Sequence, residues 1–351
     1  MTFEEFIMQA REMNASDIHL TVGAPTVVRV NGELRKYTEL SDQVVNRTIL
    51  SILSAEQEKM LTEGKDIDFS FELKNGARQR VNVFRQSGKL AACIRLLNAE
   101  IPTLEELKMP PVLLEFAKKR RGLVLVTGPT GAGKSTTLAA LMEYINKTRA
   151  CHVITIEDPI EYRYKQEKAT IHQRELGRDV PSFHEALRSA LREDPDVILI
   201  GEMRDYETIS LAMMAAETGH LVFGTLHTSS AAQTVDRIID ACPIHSQDQV
   251  RSQLASMIQG IIAQTLIPRA DGKGRVAAVE VMIGTDAIRN LIRSAKINMM
   301  ETTMAAGARD GMCTLNASLA NLYKTGQISY ETALEYATDR GEMEKKLLSG
   351  I

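Results

Sequence analysis

Gly128-Pro129-Thr130-Gly131-Ala132-Gly133-Lys134-Ser135 is the stretch from which the fold can be read, because it matches G-x-x-x-x-G-K-[ST] in the right local setting. Upstream lies the apolar run Leu123-Val-Leu-Val126, suited to a buried strand. Downstream, Leu138, Leu141, Met142 and Ile145 recur at helical spacing. The glycines therefore sit on a strand-to-helix turn, where loop N–H groups and a helix N-terminus converge on an anion. Gly131 and Gly133 let the main chain pass close to phosphate, where a Cβ would intrude. Lys134 supplies a charge for β- and γ-phosphates, and the Ser135 hydroxyl is a Mg²⁺ ligand. Gly128 to Thr136 thus form the expected cradle of a nucleoside triphosphate.

The chain has 351 residues, enough for about two domains with their own cores. Its 42 basic and 45 acidic residues give a net charge of -3, so bulk attraction to nucleic acid is not indicated. The start, Met1-Thr-Phe-Glu-Glu-Phe, has neither the basic nor the apolar part of a secretory signal. No apolar run approaches a membrane span of about 20 residues. Cys93, Cys151, Cys242 and Cys313 are scattered, which implies neither a disulfide framework nor a zinc site. These features point to the cytoplasm.

Residues 1–100 read as a mixed α+β unit. A capping box, Thr2-x-x-Glu5, opens a helix, and strand-like runs follow at 17–20, 26–30, 68–73, 80–84 and 90–96. A helix near Ser41–Leu53 interrupts them. The run from Arg80 alternates polar and apolar residues, so one face is expected to be wet. Prolines at 102, 110 and 111 mark residues 101–112 as a linker. From about 113 onward strands alternate with helices, which predicts a parallel sheet covered by helices. The last ~65 residues are mostly helical.

A phosphate cradle alone could serve a kinase, a switch GTPase or an ATPase motor. Strand Val197–Ile200 is followed by Gly201-Glu202, which sets Glu202 at a carboxyl strand end, the ligand edge of an open parallel sheet, and beside the P-loop strand. A carboxylate there can orient and deprotonate water. Glu157, Asp158 and Glu161 follow strand Val153–Ile156 in the same way. Mg²⁺ is the natural partner for Glu157 and Asp158, although Asp158 also reads as a helix N-cap. His220 and His227 bracket the next strand, where a histidine can donate to a γ-phosphate or serve simply as a core or cap residue.

Together, Gly128–Thr137, Thr155-Ile-Glu-Asp-Pro-Ile-Glu-Tyr, Asp196-Val-Ile-Leu-Ile-Gly-Glu-Met-Arg-Asp, Thr218-Gly-His-Leu-Val-Phe-Gly-Thr-Leu-His-Thr and Ala287-Ile-Arg-Asn-Leu-Ile-Arg resemble the secretion-type traffic ATPases. More narrowly they resemble the PilT family of type IV pilus retraction ATPases. The resemblance implies an α/β fold with a PAS-like N-terminal domain over 1–100 and a RecA-like P-loop ATPase domain, with a helical C-terminal region, over 113–351. It implies ATP and Mg²⁺ as cofactors and a hexameric ring. It further implies an inner-membrane pilus platform protein as partner, with membrane association through that partner only. Catalytic roles would fall on Glu161 and Glu202, with His220 and His227 flanking the His-box strand. Arg289 and Arg293 would belong to a motif linked to retraction. Extension and type II secretion relatives usually carry a four-cysteine zinc element, which is absent here.

A ring motor needs a cation at the γ-phosphate, and Arg80 and Arg85 on the wet-faced strand are expected to present it when the first domain closes over ATP. Two other readings use the same cradle. One is a nucleotide-gated scaffold that hydrolyses little, which the paired acids Glu161 and Glu202 disfavour. The other is a nucleic-acid translocase, which net charge and the lack of a basic-aromatic stripe disfavour.

Overall fold

The computed structural model describes residues 3–30, 32–97 and 100–349. Thr2, the first residue of the expected capping box, lies outside them. The chain divides into two compact units: residues up to Glu100 with Pro159–Arg163, and Ile101–Asp158 with Tyr164 onward.

In the first unit α1 (Phe3–Glu12) precedes β1 (Ala15–Thr21), β2 (Val27–Val30) and β3 (Glu33–Lys36). Helices α2 (Asp42–Leu50) and α3 (Ala55–Thr62) follow, then β4 (Ile67–Glu72), β5 (Arg78–Gln86) and β6 (Lys89–Leu96). The strands pair antiparallel in the order β3-β2-β1-β6-β5-β4. Ser41 caps α2 as a serine should, its hydroxyl accepting from the Val44 N–H. The helix expected to reach Leu53 ends earlier, and a second capping box, Ser54 with Gln57, starts α3. Along β5 Val81 and Val83 are buried while Arg80 and Asn82 are half-exposed, the alternation of a sheet wet on one face.

The second unit contains α4 (Leu113–Ala117), β7 (Gly122–Thr127), α5 (Lys134–Thr148), β8 (His152–Glu157), β9 (Thr170–Glu175), α6 (Phe183–Ala190), β10 (Val197–Ile200), α7 (Tyr206–Glu217) and β11 (Leu221–Leu226). These are followed by α8 (Ala231–Asp240), α9 (Gln247–Met257), β12 (Ile258–Pro268) and β13 (Arg275–Ile283). Helices α10 (Asp286–Arg293), α11 (Met300–Ala306), α12 (Leu315–Lys324), α13 (Tyr330–Glu335) and α14 (Arg340–Ser349) complete it, in keeping with a helical C-terminal stretch. The sheet order is β13-β12-β7-β11-β10-β8-β9, parallel except for the antiparallel β12–β13 hairpin. Leu123 to Val126 are at most 1% exposed because β7 is covered on both faces. Leu123 and Leu125 join one core, with α6, α7 and α8. Val124 and Val126 join the other, with Leu138, Leu141 and Ile145 of α5. Each such side chain contributes about 1.5–3 kcal/mol by leaving water, so the strand that carries the loop is held firmly from both sides.

Residues 101–112, expected as a linker or clamp, form neither helix nor strand and bury Leu104 and Met109 in the α5-side core. No helix of the described residues is long and apolar enough to cross a membrane.

Candidate active site

Beyond β7 the backbone turns through left-handed conformations at Gly128 (φ 145°), Gly131 (φ 79°) and Gly133 (φ 88°), which glycine adopts without strain. Gly128 is also required by space: a Cβ there would lie 2.2 Å from the Gln264 carbonyl oxygen. Gly133 caps α5 without a side-chain bond, leaving the first N–H groups of a 15-residue helix to face an anion. Lys134 Nζ donates to the carbonyls of Gly128 (2.7 Å) and Pro129 (3.1 Å). Ser135 is exposed on the first turn of α5, with Thr136 half-exposed beside it. Pro129 and Thr130 are exposed at the loop tip, and Ala132 is buried beneath it.

The sheet order corrects one expectation. Glu202 follows β10, which is not the neighbour of β7, since β11 lies between them. His227, just past the end of β11, bridges that gap. Its Nε2 lies 2.9 Å from Glu202 Oε1 and its Nδ1 3.5 Å from Lys134 Nζ. An ammonium only donates, so Nδ1 accepts and the ring proton on Nε2 is directed to Glu202. Arg204 Nε closes the other side of Glu202 at 2.7 Å. Burial pushes the Glu202 carboxyl up, but the Arg204 hydrogen bond and charge, aided by His227, hold it below its ordinary range. Gly201 stands between the strand and the acid; its N–H donates to the Ile156 carbonyl of β8 (2.7 Å), and a Cβ there would lie 3.1 Å from that oxygen.

Other expected residues are placed elsewhere. His220 precedes β11, at the amino end of the sheet, and its Nδ1 donates to the Ala215 carbonyl (2.9 Å) at the end of α7. Six residues of strand at about 3.3 Å each separate it from the phosphate edge, so its surroundings are those of a helix-end cap. Glu157 accepts from the Thr155 hydroxyl (2.6 Å) and the Gln173 amide (3.2 Å) along the β8–β9 ladder. Asp158 begins no helix, which removes the N-cap reading, and its charge is felt by Arg204. Among the described residues no group of three His, Cys, Asp or Glu is placed to hold a metal ion. Glu161, Arg80 and Arg85 belong to the first unit. There Arg80 pairs with Asp68 at 2.7 Å and Arg85 reaches the carbonyls of Leu61 and Gly88. In α10, Arg289 is half-buried and donates to the Ile258 carbonyl (3.3 Å), whereas Arg293 is exposed.

Two residues escaped the sequence reading. Gln264, 3% exposed on β12, donates to the Ala132 carbonyl (2.6 Å) and accepts from the Thr137 hydroxyl (2.8 Å). Glu280 on β13 accepts from the first N–H of α8, Ala231, at 2.6 Å, and also from Leu315 of α12. Both lie more than 30 residues from their partners, and no local signal in the chain marks them. Beside Thr136, a cavity of about 230 Å³ opens among Met109, Gly133, Gln264, Leu266 and Arg269.

The model of the type II/IV secretion system protein family matches residues 1–344. The chain is 49% identical over 339 residues to the Pseudomonas aeruginosa protein named type IV pilus retraction ATPase PilT, covering 96% of this chain and 98% of that one. The chain belongs to the PilT family of type II/IV secretion system proteins. A Neisseria gonorrhoeae protein named as a twitching motility protein is 48% identical over 90% of this chain and 85% of its own length. The crystal structure of the pilus retraction motor PilT with bound ADP superposes with a TM-score of 0.91 at 47% identity, covering 98% of this chain and 99% of the other. The α/β architecture with its parallel sheet is therefore that of the PilT family.

Proposed function

We propose that this chain is a Mg²⁺-dependent ATPase whose turnover powers retraction of type IV pili and twitching motility. The observation that carries the chemistry is His227, which joins the P-loop lysine to a strand-end carboxylate across the sheet edge. A site that only grips nucleotide has no need of such a carboxylate. A water molecule placed by Glu202 attacks the γ-phosphorus, the Glu202 carboxylate takes its proton, and the bond to the β-γ bridging oxygen breaks to give ADP and phosphate. Lys134 exchanges the Gly128 and Pro129 carbonyls for β- and γ-phosphate oxygens, and that exchange frees the Nδ1 of His227 to respond to the γ-phosphate. The exposed Ser135 hydroxyl fits Mg²⁺, which takes few protein ligands beside phosphates and water. When bound, the ion neutralises charge on the phosphoryl oxygens. The cavity beside Thr136 suits the nucleoside.

The first unit is taken as the PAS-like domain and the second as the RecA-like domain of a hexameric ring at the cytoplasmic face of the pilus machine. The inner-membrane platform protein is its partner. Glu161, Arg80 and Arg85 are proposed as supplementary groups for hydrolysis; Arg80 must then exchange Asp68 for phosphate. The family resemblance supports the domain, ring, partner and Glu161 assignments, and the half-wet strand β5 supports those of Arg80 and Arg85. Deletion of this chain in a piliated host tests the whole reading. Surface fibres accumulate and surface movement stops, and a Lys134→Ala copy does not restore movement. Unchanged retraction in the deletion strain contradicts it.

A further inference from the structure

Gln264 lies directly beneath the P-loop, one residue past the register pair Ala263–Thr127 that ends the β12–β7 ladder. Its amide can face only one way. The Ala132 carbonyl is purely an acceptor, so Nε2 must meet it at 2.6 Å, and Oε1 is left to accept from Thr137 at 2.8 Å. In a trans peptide the carbonyl of one residue and the N–H of the next point in opposite directions. Drawing the Ala132 oxygen down onto Gln264 therefore turns the Gly133 N–H outward, to the side where the loop cradles phosphate. Gly133 sits at φ 88° with no Cβ, so its own sterics do little to fix that peptide. The Thr137 bond anchors the same amide to the first turn of α5, which makes the hold on the loop rigid.

We infer that Gln264 is the positioning residue that sets the Ala132–Gly133 peptide in its anion-binding orientation and thereby sets nucleotide affinity. The inference rests on the nucleotide-binding reading. It differs from a packing role because it depends on a donor at Nε2, not on volume. Gln264→Glu keeps the shape and the Thr137 bond but, when ionised, turns an acceptor toward the Ala132 carbonyl. Gln264→Met keeps the volume and removes both bonds.

Titration of the full-length protein with a fluorescent ADP analogue and Mg²⁺ decides. Wild type binds. Q264E and Q264M bind roughly 5- to 100-fold more weakly at pH 8, the scale for a buried polar group left without its partner. In Q264E the affinity recovers as pH falls and the buried carboxyl gains a proton that it can donate to Ala132; in Q264M it does not. If Q264E does not fold, Q264M alone decides. A Q264M protein that binds as tightly as wild type overturns the inference, as does a Q264E protein whose affinity does not respond to pH. A lowered melting temperature with unchanged affinity would reduce Gln264 to a packing residue. Failure of wild type itself to bind would instead sink the nucleotide reading.

Discussion

The two ends of the seven-stranded sheet carry similar residues with opposite commitments. At the amino end, His220 donates to the Ala215 carbonyl, His152 lies against the Asp194 carbonyl and the His172 ring, and Asp196 accepts the His152 backbone N–H. Most of these bonds close helix ends and strand starts, and nothing replaces them without unsatisfying the backbone. At the carboxyl end, Lys134, His227, Glu202 and Arg204 bond to one another, and Lys134 also bonds two loop carbonyls. A triphosphate can take over those contacts at little cost. One strand, β11, separates the two histidines, so residue type decides little and strand end decides much.

The contrast can be broken most severely at Lys134. Lys134→Ala should weaken ADP binding by roughly 10²-fold, the scale for a desolvated charge pair, as read by equilibrium titration. Loss below tenfold would mean that the lysine does not face phosphate. His227→Ala should lower kcat about tenfold or more while ADP affinity stays within a few fold. His220→Ala, the matched change at the other strand end, should leave steady-state hydrolysis within twofold. Its cost should appear in thermal unfolding instead, on the order of 1 kcal/mol for a lost cap. Equal effects of the two histidine changes on kcat would erase the distinction between the sheet ends.

Acidity sharpens the same contrast. Glu202 acts as a base only when ionised, and its folded pKa lies below the ordinary value. Its ion pairing therefore contributes stability above the unfolded carboxylate pKa, which is lost as pH falls through the lower folded value. The acid limb of kcat/KM should lie correspondingly low, and Arg204→Ala should move it to higher pH. A limb that stays put would remove Arg204 from the site. Glu280 behaves oppositely, because burial raises its pKa against the hydrogen bonds from Ala231 and Leu315. Its stabilising contribution is complete below the unfolded pKa and falls as pH rises through the folded one. Glu280→Gln should flatten thermal stability across that window, the smallest of these effects; an unaltered pH profile would show that Glu280 does not titrate there.

What the sequence made legible was local. The glycine-rich loop, the apolar strand before it and the amphipathic helix after it declare themselves in one continuous stretch, and the structure has them as β7 and α5. Strand order is another matter. Nothing near Glu202 says that β11 intervenes, because parallel crossovers let sequence neighbours sit apart. The β12–β13 hairpin is not legible from the chain although Asp271-Gly272-Lys273-Gly274 marks its turn, since the apolar residues of β12 are interrupted by Gln259, Gly260, Gln264 and Thr265 and keep no strict alternation. Gln264 and Glu280 lie on that hairpin, and a buried amide or acid is defined by partners that only the folded chain supplies.

The central claim is tested most directly by releasing phosphate from ATP with Glu202→Gln beside wild type, at millimolar Mg²⁺ and matched nucleotide occupancy. Wild type should turn over steadily. The variant should retain ATP with similar affinity while its hydrolysis falls by about 10²-fold or more. Equal rates in the two proteins, or a wild type that never releases phosphate, would contradict the account.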